Sequence, residues 1–553
     1  MSVNITEVRL LSVPLEEDYK HTLYFASKDA QTTYFKSKAV KTLTDFSYQR
    51  KDNYIRVPFH IDTLLGKVNY VMYKNSAYSS KWFYAFITKM EYKGDETTFI
   101  YISTDVIQTW AFDITIKPSF VEREHVNDDT IGAHTVPEGL ETGEYIVNGN
   151  AHTNSMKSGA IILASTVNLS DLDKDKCDMA GGAVYGGVYS GVYYYYFKTE
   201  KDSSTEYLSS YDAISAVLNR LAKMGQSDAI IGMFIVPSEY VNLASSQTVE
   251  VASGDLPIKL QKLKSPDTFV SKMWNAGGSG DSPIYKPTTI NGYTPRNNKL
   301  FTFPYCYLNM SNNAGGNAIY HYEKFNSADT CAFYIYFTPC AGGSLRVVPV
   351  GYNGYSINYE EGLTGAKYPI CSWLTDMYTN WLTQNSVNLG ISYATGALQI
   401  VGGMAAMLGT GGAGAVMGGG SIVGGISTIA NTMAEKYQRS LVPPQAEGNL
   451  NSGDIAFASG NLRFSAYGMT IKAEYAKIID GYFDMFGYKV NLCKKPNENH
   501  RAKYWFTKTI DISIDGAIPN EDMQKIKNCY NSGITFWRNA GDIGDYSVDN
   551  SII

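Results

Sequence analysis

TTFIYI, residues Thr97–Ile102, decides which period governs this sequence. Ile100 and Ile102 fall on one side of an extended chain, and Phe99 and Tyr101 fall on the other. A strict period of two is the mark of a strand with one face turned to a core. The neighbouring Lys93-Gly94-Asp95 is a turn signal that punctuates such runs, and residues 1–145 read as β structure. Further along, 191–197 (GVYYYYF) reads as a buried strand, and 230–236 (IIGMFIV) and 331–337 (CAFYIYF) read as strands. One segment keeps the helical period instead. Ile214, Val217, Leu218 and Leu221 stand at i, i+3, i+4 and i+7, the apolar stripe of an amphipathic helix. The stretch Trp274–Pro283 reads as a loop or boundary, 455–553 as a mixed β/α tail, and no internal repeat is visible.

Composition agrees with a mainly β fold carrying some helix. The chain has 43 Tyr, 23 Phe and 7 Trp, residue types that suit a pleated, half-buried surface. At 553 residues it is too long for one core and predicts two to four domains. Charged residues make up 18%, below the roughly 25% of an average domain. That deficit predicts surface buried between subunits. The net charge of −6 and the lack of a basic cluster argue against stable nucleic-acid binding. A mildly acidic surface would let DNA slide past without sticking.

Little in the chain suggests catalysis. The seven cysteines form no CxxC pair and read first as buried free thiols, with a zinc site or disulfide framework as alternatives. There is no HExxH, GxSxG or Walker A sequence, and the seven histidines are isolated. Glu122-Arg123-Glu124-His125 gathers charge and reads as a solvated or interface face. A literal GxGxxG stands at Gly409, Gly411 and Gly414, with Glu435 about 20 residues on. A dinucleotide site needs an intact helix after those glycines. Gly418, Gly419, Gly420, Gly424 and Gly425 would each weaken it by about 1 kcal/mol relative to alanine. No cofactor or metal is expected. The N-terminus carries acidic residues where a signal peptide needs a basic end, so no export signal is expected either.

The segment around those glycines is unlike the rest. From Met377 to Ala434 there are 58 residues without Asp, Glu, Lys, Arg or His. A flexible linker would be polar. Here Leu398, Ile400, Val401, Met404, Met407, Leu408, Val416, Met417, Ile422, Val423, Ile426 and Ile429 make it apolar. Gly414-Gly418 and Gly420-Gly424 are GxxxG spacings that let apolar helices approach closely. Two readings stay open on the residues alone. One is a glycine-rich hairpin buried in a core. The other is a segment hidden in a soluble assembly that enters lipid when released. A bilayer takes about 20 mostly apolar residues per span, and 58 would supply two.

Two long blocks resemble a known family. One is KWFYAFITKMEYKGDETTFIYISTDVIQTWAFDITIKPSFVEREHV (81–126). The other runs from VPPQ (442–445) through IKAEYAKIIDGYFDMFGYKVNLCKKPN (471–497) to NSGITFW (531–537) and GDYSVDN. EDYKHTLYF near the start and KLFTFPYC around Cys306 fit the same pattern. Together they resemble the tail knob, or distal tail tube, proteins of φ29-like short-tailed phages that infect Gram-positive bacteria.

The resemblance implies a hexameric, β-rich, barrel-like tube at the distal end of the virion tail, joined to other tail proteins such as the lower collar or tube. Its expected parts are an N-terminal tube portion (1–150), a mixed β/α knob (151–298), a second knob or β region (299–385), a hydrophobic glycine-rich loop (386–440) and a C-terminal tube portion (441–553). It implies a conduit for phage DNA. The loops, including the residues from Leu398 to Ile429 named above with Gly414, Gly418, Gly420 and Gly424, would plug the lumen and later penetrate the host membrane during genome ejection. It implies no enzymatic activity. An alternative keeps the knob but makes it a module binding a receptor or cell-wall glycan without membrane activity, through Tyr-rich strands at 185–197 or 333–337. A wall-degrading enzyme is a third possibility that no local motif favours.

Overall fold

The computed structural model describes residues 6–46, 52–76, 81–153 and 463–553 and, with short breaks, 159–372. The chain divides into two compact units. The first gathers Met1–Glu144, Thr289–Tyr305 and Ile471–Ile553, and the second gathers Tyr145–Thr288 and Cys306–Thr470. The backbone therefore passes from one unit to the other four times.

In the first unit a six-stranded antiparallel sheet runs in the order Ala39–Phe46, Thr6–Leu11, Tyr70–Asn75, Trp82–Gly94, Thr97–Thr104, Tyr54–Val57. The alternation of TTFIYI is visible in it. Thr98, Ile100, Ile102 and Thr104 are buried while Phe99 and Tyr101 lie on the more open face. A second sheet joins the two ends of the chain, in the order His21–Leu23, Ile534–Trp537, Tyr504–Ile510, Ser119–Glu124, Tyr488–Lys494. Its first pair is parallel, with His21 opposite Thr535 and Leu23 opposite Trp537. One core cluster unites Val8, Leu10, Ile55 and Ile100 with Ile512, Ile526 and Ile534. Another unites Leu11, Phe35, Tyr70 and Tyr84 with Tyr504 and Trp537. Each of these cores needs apolar surface from both ends of the sequence.

The second unit holds three larger sheets. Gly159–Ser165 lies between Tyr193–Lys198 and Ile230–Pro237 in a six-stranded sheet. The helix Ser210–Lys223 covers it, with Ile214, Val217, Leu218 and Leu221 buried against Ile161, Leu163, Tyr195 and Met233. This is the stripe that the sequence spacing predicts. A four-stranded sheet runs Tyr145–His152, Ser465–Ile471, Cys306–Ser311, Asn317–Tyr320. A third is built on Val270–Trp274, Thr330–Phe337 and Ser344–Tyr352. Trp274, expected to open a loop, instead closes a strand, and its side chain is fully buried. Its indole N–H donates to the Ser282 carbonyl at 2.8 Å, which satisfies the one polar atom such a side chain must bring into a core.

Candidate functional site

The residues expected to act on membranes, Leu398 to Ile429, lie outside the described residues, as does all of 373–462. The structure does show how the fold holds the ends of that segment. The outgoing strand Ile370–Ser372 is the outermost strand of the six-stranded sheet of the second unit. It pairs antiparallel with Ile230–Pro237, Ile370 opposite Phe234 and Ser372 opposite Gly232. The returning chain is gripped at once. Phe464, 1% exposed, donates its N–H to Thr153 Oγ1 at 3.0 Å, and its carbonyl accepts the Thr153 N–H at 3.0 Å. Asn313 donates through Nδ2 to the Arg463 carbonyl at 2.8 Å and to Ser465 Oγ at 3.1 Å. Asn313 sits at φ 55°, a left-handed conformation that asparagine tolerates better than most residues. Ser465–Ile471 then enters the interior of the four-stranded sheet, between Tyr145–His152 and Cys306–Ser311. Both anchors belong to the second unit, and the return anchor is hydrogen-bonded in a buried setting where an unmade bond is costly.

The charged string 122–125 corrects an expectation. Arg123, Glu124 and His125 are buried rather than on a solvated face. Arg123 and Lys299 both pair with Glu138, and Lys299 also donates to the Val136 carbonyl at 3.0 Å. Burial lowers the Lys299 pKa from the usual lysine value, and Glu138 opposes that. Lys494 pairs with Glu124 at 2.5 Å. His125 accepts the Phe506 N–H at Nδ1, 2.8 Å away, and its Nε2 meets the Asp484 carbonyl at 3.1 Å, so Nε2 carries the proton. Burial, with Arg501 adding to it, pulls the pKa of this ring down to about 3, and it is neutral. Nothing local marks the string as internal. Its partners Glu138, Lys299 and Lys494 come from other parts of the chain.

Another network was not legible at all. Asp480, on the helix Ala473–Phe486, is fully buried. It accepts from Tyr293 Oη at 2.6 Å, from the Arg296 N–H at 2.9 Å and from the Asn297 N–H at 3.0 Å. Asp484, one turn on, accepts from Asn297 Nδ2 at 2.8 Å and pairs with Arg296. Thus two carboxylates one helical turn apart hold the 289–305 passage within the first unit.

These arrangements are structural. Each charge in them has a partner and both nitrogens of His125 are engaged, so none supplies a free base beside a nucleophile. A cleft of about 770 Å³ in the first unit is lined by Tyr24, Phe25, Phe112, Asn497 and Glu498 among others. Among the described residues, no three His, Cys, Asp or Glu side chains are placed to hold a metal. Cys177, Cys306, Cys331 and Cys529 are buried free thiols, and Cys493 is free and exposed. Among the same residues, no helix is long and apolar enough to cross a membrane.

Comparison with known proteins gives these features their context. Residues 271–551 match the family model of the C-terminal domain of the Bacillus phage phi29 tail knob protein gp9. Residues 4–115 match that of the caudoviral major tail protein N-terminus. The gp9 tail knob proteins of Bacillus phages phi29 and PZA are each 29% identical to this chain, over 99% of it and 98% of their own length. That of Bacillus phage B103 is 27% identical over the same shares. The solved tail knob protein gp12 of bacteriophage C1 has the same fold, with a TM-score of 0.63 at 16% identity, covering 99% of this chain and 100% of that one. The chain therefore belongs to the family of the phi29 tail knob protein gp9, structural proteins of the virion tail and not enzymes.

Proposed function

We propose that six copies of this chain form the distal tail tube and knob, a conduit for the phage genome that the apolar segment first plugs and then carries into the host membrane. The observation behind this reading is the 58-residue charge-free run, Met377–Ala434, set between two strands of one unit. Apolar surface is driven from water at about 25 cal/mol per Å². Copies of such a run held side by side would bury that surface against one another and fill a lumen. Release into lipid would then move no charge, whereas each Lys, Arg or Asp would add roughly 2.5–3.5 kcal/mol at mid-bilayer on insertion scales. The frequent glycines leave the backbone free to rearrange. The first unit, with both chain ends closed into shared sheets and cores, suits a wall that must stay shut while the segment moves. The mildly acidic chain suits passage of DNA without adhesion. The same reading attaches the chain to neighbouring tail proteins at the distal end of the tail.

The test is dye release from liposomes. The intact protein should empty vesicles once the segment is freed, for example by mild acid or heat. A variant lacking 398–428 that still assembles should not. Equal leakage from both would assign membrane passage to another part of the chain. No leakage from either under any trigger would leave the run as a packed hairpin.

A further inference from the structure

The strand Thr330–Phe337 of the second unit turns Phe333, Ile335 and Phe337 into a core and sets Tyr334 and Tyr336 on its opposite face. Tyr336 stands across from Arg346 of the neighbouring strand Ser344–Tyr352. Tyr359, 54% exposed, comes alongside. Its ring centre is 5.7 Å from that of Tyr336, their hydroxyls meet at 3.2 Å, and Tyr334 lies 5.9 Å from Tyr336 on the other side. Three tyrosines thus form one continuous aromatic surface on an outer sheet face. The cation beside it is held in place. Arg346 donates to the Tyr359 carbonyl at 2.6 Å, and a Cβ on Gly362 would come within 2.7 Å of its Nε. One of five donors is thereby used. The residue remains exposed, and no carboxylate pairs with it among the described residues, Glu360 and Glu361 included.

We infer that Tyr334, Tyr336, Tyr359 and Arg346 form a binding site for an anionic polysaccharide. Sugar rings present C–H faces that lie on aromatic rings, while their hydroxyls reach phenol oxygens. A fixed guanidinium fork offers paired donors to a carboxylate or phosphate on the same polymer. Neither feature alone selects this ligand. A neutral glycan would leave the fork unmet, and a bare anion would leave the rings uncovered. This site rests on the tail-tip placement but not on the apolar segment, so its failure and that of the liposome experiment are separately readable.

The test is equilibrium binding of the full-length assembled protein to neutral, carboxymethylated and phosphorylated dextrans, with inorganic polyphosphate as competitor. At least one charged dextran should bind more tightly than neutral dextran, and the two charged forms identify the anion. Tyr336→Ala and Tyr359→Ala should each weaken binding about tenfold. Tyr336→Phe should retain most of it, and Arg346→Gln should bring the charged and neutral forms to similar affinity. The inference is overturned if no dextran binds, or if the tyrosine and arginine variants bind like the parent. It is also overturned if polyphosphate displaces the polymer as well as charged dextran does. A change of oligomer size in Tyr359→Ala or Arg346→Gln would show instead that a second copy covers this face.

Discussion

Trp110 donates its indole N–H to Asp522 Oδ2 at 2.8 Å, across 412 residues of chain. Asp522 is fully buried in the helix Asn520–Ser532, and Trp110 ends a short helix near the start of the fold. Removing one donor from a buried carboxylate costs more than an average hydrogen bond, about 1–3 kcal/mol. Trp110→Phe keeps an aromatic ring at the site and loses the N–H together with part of the indole. Its urea midpoint should fall accordingly. An unchanged midpoint would mean that this bond does not help hold the two ends of the chain together.

Asp105 gives a pH dependence with a defined sign. It is fully buried and accepts from the Gln108 N–H at 3.0 Å and from Tyr70 Oη at 2.8 Å. Burial raises its pKa to about 6, with those hydrogen bonds working the other way. The folded state then binds more protons than the unfolded one between about pH 4 and 6. Stability tied to the neutral acid is present below that window and lost as pH rises through it. Asp105→Asn never ionises, so it should gain on the parent by roughly 2–3 kcal/mol between pH 4 and pH 8. His125 titrates alike in both proteins and drops out of the difference. Urea midpoints of the pair at the two pH values settle the matter, and a constant gap would place this carboxyl at its ordinary pKa.

Gly487 ends the helix Ala473–Phe486 at φ 63°, donating its N–H to the Phe483 carbonyl at 2.8 Å. A Cβ there would sit against the Glu124 carbonyl and 2.5 Å from His125 N, both main-chain atoms that cannot swing aside. Gly487→Ala should therefore cost more than about 3 kcal/mol or abolish soluble protein. Gly66→Ala is the control. It has a similar φ of 70° but nothing within 4 Å, so it should cost only the roughly 1–2 kcal/mol of a left-handed alanine. Similar losses from the two, read by soluble yield and urea midpoint, would contradict the close approach.

The return anchor should be visible in hydrogen exchange. Thr153→Val leaves the buried Phe464 N–H without its acceptor, at about 1–2 kcal/mol. The Phe464 amide should then exchange about tenfold faster while amides in the helix Ser210–Lys223 stay as they were. Equal rates in variant and parent would show that the Thr153 hydroxyl does not fix the end of the apolar segment.

What could be seen in the sequence was whatever depends on neighbours in the chain. The period of TTFIYI placed Ile100 and Ile102 in a core, and the spacing of Ile214 to Leu221 placed a helix. The expectation of a mainly β fold followed from such runs. What could not be seen was whatever depends on distant partners. Arg123 and Glu124 read as surface residues because nothing adjacent shows that Glu138, Lys299 and Lys494 will neutralise them. Asp480 looks like any polar residue on a helix until Tyr293 and Asn297, more than 180 residues upstream, arrive to meet it. Tyr334 and Tyr336 were legible as a Tyr-rich strand. That Arg346 and Tyr359 join them is a matter of pairing, which a single sequence does not print.

The parallel pairing of His21–Leu23 with Ile534–Trp537 also sets an order of events during synthesis. A ribosome makes the N-terminal strand first and the strand that must lie beside it more than 500 residues later. Until then the early residues wait with part of their core surface uncovered. The first unit therefore cannot finish folding until Ile534–Trp537 has emerged from the ribosome.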